Sequence, residues 1–113
     1  MLEINKTIRL DKIKGNEKKI LSGRPNGEAE RKTLKIDELD NTEFSYKIYV
    51  PDTVYSLNSS FFGGLFDESL KKLGEEKFRE KYVFDCSEAI MKNVEDGIFA
   101  ALHTSPFIGA NNS

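Results

Sequence analysis

A cluster of polar residues ahead of a predicted helix is the part of the sequence best suited to chemistry. Asn58, Ser59 and Ser60 precede a run of apolar residues at helical spacing. A short side-chain oxygen at this place can accept from the free N–H groups of the first helical turn, which is the ordinary N-capping role. A phosphate on one of these hydroxyls would instead add about −1.5 to −2 charges at a helix end that favours anions. The sequence is compatible with capping and with regulation.

Turn-forming residues surround a second candidate, Arg24. The segment from Ser22 to Gly27 contains glycine, proline and asparagine, which are typical of a loop. A helix is predicted from about Gly27 to Ile36, and helix N-termini bind phosphates and carboxylates. A candidate anion site therefore consists of Arg24, Asn26, Gly27 and Arg31, with an ordinary surface loop as the alternative.

The sequence gives little support to catalysis or to metal binding. One cysteine, Cys86, and one histidine, His103, form neither an intrachain disulfide nor a ligand set with metal spacing. The glycine motifs of nucleotide-binding loops are missing from the sequence, and acidic residues are not paired on one predicted face. We therefore predict no catalytic residue, no metal and no cofactor. The sequence favours a binding module over an enzyme that uses a carboxylate pair or Cys86.

The length and net charge of the sequence further limit the kinds of protein that it can encode. The 113 residues suffice for one domain, which we place at residues 1–103 with a flexible tail at 104–113. The net charge is −2 and the aromatic residues are not interleaved with basic ones, which speaks against a nucleic-acid surface. The sequence contains no window of the ~20 apolar residues that span a bilayer, and its start does not resemble a signal peptide. We expect a cytoplasmic protein.

Alternating and helical patterns predict an α/β fold. Strands are predicted from Leu2 to Leu10 and from Phe44 to Val50, while Ile20-Leu21 is either a short strand or a loop anchor. The side chain of Tyr49 suggests that the second face of its strand is also covered by helices. Residues 54–58 are predicted to be a short connection.

The second half of the sequence predicts further helices around a short strand. An apolar face built on Phe62, Phe66 and Leu70 predicts a helix that ends at Gly74. Gly63-Gly64 inside it indicates close packing of the helix on the sheet or, as the alternative, an open surface for a partner backbone. A short helix at residues 75–81, a buried strand at 82–84 and a last helix capped by Asp85 or Ser87 follow.

Several short motifs together resemble the STAS-like family, small bacterial domains of unknown function that are similar in pattern to the STAS domains of anti-sigma-factor antagonists and sulfate transporters. The resemblance extends from about Ile4 to Leu102. It is carried by Ser22-Gly23-Arg24 with Gly27 and Arg31, by Phe44 to Val50, and by Leu57-Asn58-Ser59-Ser60-Phe61 with the helix through Phe66 and Leu70.

The resemblance implies a small mixed sheet of about four strands with helices mainly on one face. It also implies a protein partner, often a kinase-like ATPase or another regulatory protein. In the anti-sigma-factor antagonists the helix start reads Asp-Ser-Ser/Thr-Gly, and the partner phosphorylates its serine. Ser59 falls on that serine, Asn58 replaces the Asp and Phe61 replaces the Gly.

These observations lead to a leading hypothesis and an alternative. We expect a non-enzymatic regulatory module of bacterial signalling, which binds its partner through Asn58, Ser59, Ser60 and Phe61. The alternative is a small anion or nucleotide sensor that uses the Arg24 loop and a helix N-terminus. Neither nucleic acid nor a membrane is an expected partner, and the sequence leaves a homodimer open.

Overall fold

The computed structural model describes residues 4–10 and 19–104, which contain five short strands and five helices. The strands are β1 (Ile4–Arg9), β2 (Lys19–Leu21), β3 (Ser45–Tyr49), β4 (Val54–Leu57) and β5 (Tyr82–Asp85). The helices are α1 (Arg24–Leu34), α2 (Ile36–Asp40), α3 (Ser59–Leu73), α4 (Glu75–Lys81) and α5 (Glu88–Thr104). The prediction of an α/β fold is therefore confirmed.

In the described part of the chain the strands form two parallel sheets and not the predicted single sheet of about four mixed strands. One sheet has the order β1-β3-β5, and the other pairs β2 with β4. The chain leaves β3 at Val50-Pro51 and continues as β4 beside β2. Residues 54–57 are thus a strand where a connection is predicted, because a pairing partner far away in sequence supplies the ladder.

The three-stranded sheet buries one face only. Tyr46, Ile48 and Tyr82 point into the core, whereas Lys47 and Val83 on the other face remain accessible. Tyr49 lies on this open face, where the guanidinium carbon of Arg9 is 5.1 Å from its ring centroid. The prediction that helices cover the second face is therefore wrong for the described residues.

Aromatic side chains fill the space between the sheet and the helices. Phe66 of α3 lies at the centre, with ring centroids 5.1 Å from those of Phe78 and Tyr82 and 5.4 Å from that of Phe62. All four side chains are almost fully buried. Large buried rings contribute strongly to hydrophobic stabilisation, so this cluster joins α3 and α4 to β5.

Helix α1 begins earlier and ends earlier than predicted. It starts at Arg24, so that Pro25 occupies the first turn, where a missing N–H costs nothing. It stops at Lys35, whose left-handed backbone (φ 58°, ψ 44°) separates α1 from α2. The turn residues that predict a loop therefore form the first turn of a helix.

Replacing Lys35 by glycine should stabilise the protein by about 0.5–1 kcal/mol, because a left-handed backbone strains residues that carry a Cβ. Lys32→Gly is the matched control. This exposed residue lies inside α1, where glycine should cost about 0.5–1 kcal/mol. Urea unfolding of both variants measures the two changes, and a destabilising Lys35→Gly would contradict the assignment of strain to this position.

The other helix ends follow local signals. Asn58 caps α3 and Gly74 ends it, and the Ser87 hydroxyl accepts a hydrogen bond from Ile90 N at the start of α5, as predicted. Helix α5 continues to Thr104, so His103 and Thr104 are helical; the rest of the predicted tail lies outside the described residues. Within those residues, none of the helices combines the length and apolar character that crossing a membrane requires.

Candidate functional site

Two helices begin side by side at one end of the two-stranded sheet. The backbone N–H of Asn58, directly after β4, donates to the carbonyl of Leu21, the last residue of β2, at 2.8 Å. Helix α1 starts at Arg24 and helix α3 at Ser59, so each follows its strand within a few residues. The paired strand ends therefore bring both helix N-termini to the same edge.

Glycines allow α1 and α3 to pack with their backbones in contact. A Cβ atom on Gly27 would lie 2.1 Å from the Phe61 carbonyl oxygen, and one on Gly64 would lie 2.3 Å from the Arg24 carbonyl oxygen. Further along, Arg31 of α1 reaches Leu65 and Ser69 of α3. The contact therefore covers residues from Arg24 to Arg31 of α1 and from Phe61 to Ser69 of α3.

Three polar residues at this edge form what we call the serine edge, namely Asn58, Ser59 and Ser60. The Asn58 side-chain oxygen accepts from the Ser60 backbone N–H at 2.8 Å and from the Ser60 hydroxyl at 2.6 Å. All three residues are exposed. The Ser59 hydroxyl has no hydrogen-bond partner within residues 4–10 and 19–104. Asn58 is therefore the N-cap, and Ser59 presents the free hydroxyl.

Phe61, the fourth residue predicted for partner binding, lies in the core. Only 1% of its surface is exposed, and its carbonyl oxygen faces Gly27. Gly63 and Gly64 are also buried, but they face α1 and not the sheet as predicted: a Cβ on Gly64 would meet the α1 backbone, and one on Gly63 would meet the Arg24 side chain. A partner that touches the serine edge would not contact the Phe61 side chain.

Arg24 lies beside the serine edge and pairs with acidic residues of its own chain. Its Nη2 is 3.0 Å from the Asp67 carboxylate, and its Nε is 3.4 Å from that of Glu28. Its Nη1 lies 2.7 Å from the place that a Cβ of Gly63 would occupy. The guanidinium therefore extends across α3 at Gly63.

The four residues predicted as an anion site do not converge. Asn26 and Gly27 belong to the first turn of α1; the Asn26 side-chain N–H donates to Ser22 O, and Gly27 is buried against α3. The Arg31 guanidinium is buried on the inner face of the helix. The loop on which this prediction rests is therefore helical, and only Arg24 presents an exposed cationic side chain there.

Arg31 is the centre of a buried polar network, which we call the Arg31 network. Its five N–H donors make hydrogen bonds to Asp37, Asp40, Ser69 and the Leu65 carbonyl, at 2.6–3.0 Å. The Asp40 side chain is fully buried. The network joins α1, α2 and α3, so it holds the helix pair together below the serine edge.

Asp40 also connects this network to the sheet. It accepts hydrogen bonds from the Tyr82 hydroxyl at 2.6 Å and from the Ser69 hydroxyl at 2.8 Å. Burial and the Asp40 carboxylate raise the pKa of Tyr82 far above its usual range, so Tyr82 remains a hydrogen-bond donor. The sequence patterns do not indicate a role for Asp40 or Ser69; their local signal is a serine on the apolar face of α3.

The residues of the alternative enzyme hypothesis are engaged in other contacts. Cys86 is half-buried with its sulfur 3.9 Å from that of Met91, and burial raises the pKa of its thiol, which lowers its nucleophilicity. His103 stacks on Phe99, and its Nδ1 is 2.8 Å from the Phe99 carbonyl oxygen. In the described part of the chain, no three histidine, cysteine or acidic side chains are grouped so as to hold a metal ion.

Comparisons with protein-family models, with curated proteins and with solved structures found no match to this chain.

Proposed function

We propose that this chain is a non-enzymatic regulatory module of bacterial signalling, acting in the cytoplasm, that binds a protein partner at the serine edge. The observation that carries the proposal is the exposed Ser59 hydroxyl at the common start of two helices with touching backbones. Because Gly27 and Gly64 fix these helices against each other, the edge is a rigid surface. A rigid surface loses little conformational entropy when a partner binds.

The proposed partner is a kinase-like ATPase or a related regulatory protein, in line with the STAS-like resemblance. Phosphorylation of Ser59 is the proposed means of regulation. It would place a dianionic group at a helix N-terminus, which tolerates negative charge, and change the surface without unfolding the helix. Asn58 remains the cap in either state, because it bonds Ser60 and not Ser59.

A free anion or nucleotide is less well supported as the ligand. Arg31 has all its donors engaged in the core, and Arg24 already faces two carboxylates. A small anion would have to compete with both acids without the help of a preformed loop. The sensor alternative therefore gives way to the protein-binding proposal.

Changing Ser59 to Asp should weaken partner capture at least about tenfold, because a carboxylate is fixed at the centre of the surface. The chain is immobilised and exposed to a bacterial lysate, and the captured proteins are identified by mass spectrometry. Thr33→Glu is the matched control, since Thr33 is an exposed hydroxyl residue near the other end of α1. The proposal expects a kinase-like or regulatory protein bound by the wild type and by Thr33→Glu but not by Ser59→Asp.

Intact mass gives the second measurement. Incubation with the captured partner and ATP should add about 80 Da to the wild type and nothing to Ser59→Ala. Equal capture of the same proteins by all variants would overturn the assignment of the surface. The Ser59→Asp chain should remain folded, because acidic side chains are favourable in the first turn of a helix.

A further inference from the structure

The guanidinium of Arg24 lies over the face of α3 that also carries Ser59. Ser59, Gly63 and Asp67 follow each other at intervals of four residues, and side chains at this spacing lie on the same helix face. The Arg24 guanidinium crosses this face at Gly63, where a Cβ would lie 2.7 Å from Nη1. Its present partner, Asp67, is one turn beyond Gly63, at 3.0 Å from Nη2. Ser59 is one turn before Gly63.

We propose that Arg24 is the internal receptor for a phosphate on Ser59, so that phosphorylation moves its guanidinium from Asp67 towards the serine edge. The proposal rests on the proposed function, in which the Ser59 oxygen displaces ADP from ATP. In that step the O–P bond forms as the bond to ADP breaks, and the hydroxyl proton passes to a base of the kinase.

Three features of the geometry favour movement of the Arg24 guanidinium from Asp67 to a phosphate on Ser59. The Cβ atoms of residues four apart on a helix are separated by about 5–6 Å, so a phosphate extending from Ser59 approaches the nitrogen above Gly63. Ser59 is the first residue of α3 and has no preceding turn to restrict its side-chain rotamer. Gly63 has no side chain, so no side chain of this residue stands between Ser59 and Arg24.

The phosphate should also bind the Arg24 guanidinium more strongly than the Asp67 carboxylate does. The Arg24 side chain is 49% exposed and its Asp67 partner 28%, so their ion pair belongs to the weak, solvent-screened class. A phosphate carries more charge and matches the planar guanidinium with bonds to two oxygens. It is also tethered, so its effective concentration exceeds that of any free anion. A free phosphate lacks this advantage, which agrees with the weak support for an anion sensor.

The consequence is a change of surface that reaches beyond Ser59. Movement of Arg24 leaves Glu28 of α1 and Asp67 of α3 without their present cation, so the phosphorylated edge becomes more acidic along both helices. A partner that reads this region would therefore respond to rearranged side chains as well as to the phosphate. The helices themselves stay in place, because their contact lies at Gly27 and Gly64.

The test uses the full chain with phosphoserine installed at position 59 during synthesis, so that neither kinase nor partner is needed. ³¹P NMR titration then gives the second pKa of the phosphate, which is about 6 in a free phosphoserine. Arg24→Gln should raise this pKa by roughly half a unit, since it removes a neighbouring positive charge. Asp67→Asn should lower it, since it releases Arg24.

Two control variants distinguish the effect of Arg24 on the phosphate pKa from other causes of a shift in that pKa. Arg79→Gln removes an arginine that pairs with Glu75 and Glu95 elsewhere, and should leave the phosphate pKa unchanged. Arg24→Lys keeps the charge without the planar fork and should give a value between those of the wild type and Arg24→Gln. Equal pKa values in the wild type and in Arg24→Gln would overturn the proposal, because the helix end alone would then account for any shift. That result leaves partner capture unaffected, so the two proposals fail separately.

Discussion

Replacing Asp40 by alanine should lower the free energy of unfolding by about 3–5 kcal/mol, because it leaves the buried Arg31 charge without its buried partner. The Asp40 carboxylate is fully buried and binds Arg31 at 2.9 Å. Its loss also deprives the hydroxyls of Ser69 and Tyr82 of their acceptor. Total stabilities of single domains are about 5–15 kcal/mol, so this one substitution would remove a large part. Urea unfolding measures the change.

Asp37→Ala is the matched control, because Asp37 pairs with the same guanidinium at 2.6 Å but its side chain is 75% exposed. The Arg31 hydrogen bond lowers the pKa of Asp37, yet solvent screens this exposed pair. We expect a loss of less than about 1 kcal/mol. Similar losses in Asp37→Ala and Asp40→Ala would mean that burial does not decide the importance of the two carboxylates.

A double-mutant cycle tests the charge argument directly. Arg31→Met removes the cation that Asp40 neutralises, so the double variant with Asp40→Ala should lose less stability than the sum of the single variants. Additive losses would indicate that Asp40 acts through its other partners, Ser69, Tyr82 and Lys72. The same network lies beneath the serine edge, so its disruption should also weaken partner capture.

Replacing Gly64 by alanine should destabilise the protein by about 3 kcal/mol, because the new Cβ would meet backbone atoms of α1. It would lie 2.3 Å from the Arg24 carbonyl oxygen and 2.8 Å from the Glu28 nitrogen. Backbone cannot rotate away as a side chain can, so the two helices must separate. Chemical denaturation measures the loss, which exceeds the gain of about 1 kcal/mol that alanine has over glycine inside a helix.

Gly63→Ala is the control from the same helix. Its Cβ would meet the end of the Arg24 side chain at 2.7 Å, and that flexible, exposed group can move aside. The helix-propensity gain should then roughly balance the lost contacts, leaving the free energy of unfolding within about 1 kcal/mol of the wild type. A Gly63→Ala variant as unstable as Gly64→Ala would contradict the distinction between backbone and side-chain clashes.

A third glycine links these results to the helix contact. Gly27→Ala would place a Cβ 2.1 Å from the Phe61 carbonyl oxygen, on the opposite side of the same contact. Once one alanine has separated the helices, the second meets less resistance. The double variant Gly27→Ala with Gly64→Ala should therefore lose clearly less stability than the sum of the singles. Additive losses in the free energy of unfolding would mean that the two alanines disturb independent contacts.

Local patterns predicted the elements whose signals lie close together in the chain. The alternation from Phe44 to Val50 gave the central strand, and the apolar face with Gly74 gave the extent of α3. Asn58 was one of three predicted N-caps, and Ser87 one of two. These features depend on residues within a few positions of each other, so backbone geometry and capping chemistry are enough to find them.

The candidate site was predicted in part for the same reason. The exposure of Asn58, Ser59 and Ser60 follows from their place at the start of a helix. The burial of Phe61 does not, because it depends on α1 lying against this turn. The residue types from Arg24 to Gly27 are typical of a loop, but packing against α3 makes this segment helical. Arg31, expected to meet an anion, instead finds Asp40 of its own chain.

The sequence by itself determined the α/β class, the strand β3, the extent of α3 and the place of Ser59 at a helix start, because each depends on neighbours in the chain. Only the tertiary structure decided the division into two sheets and the roles of Gly27, Arg31 and Asp40. Arg31 and Ser69 are separated by 38 positions, and Asp40 and Tyr82 by 42. Contacts over such separations leave no period or cap in the sequence, since they arise when whole helices pack together.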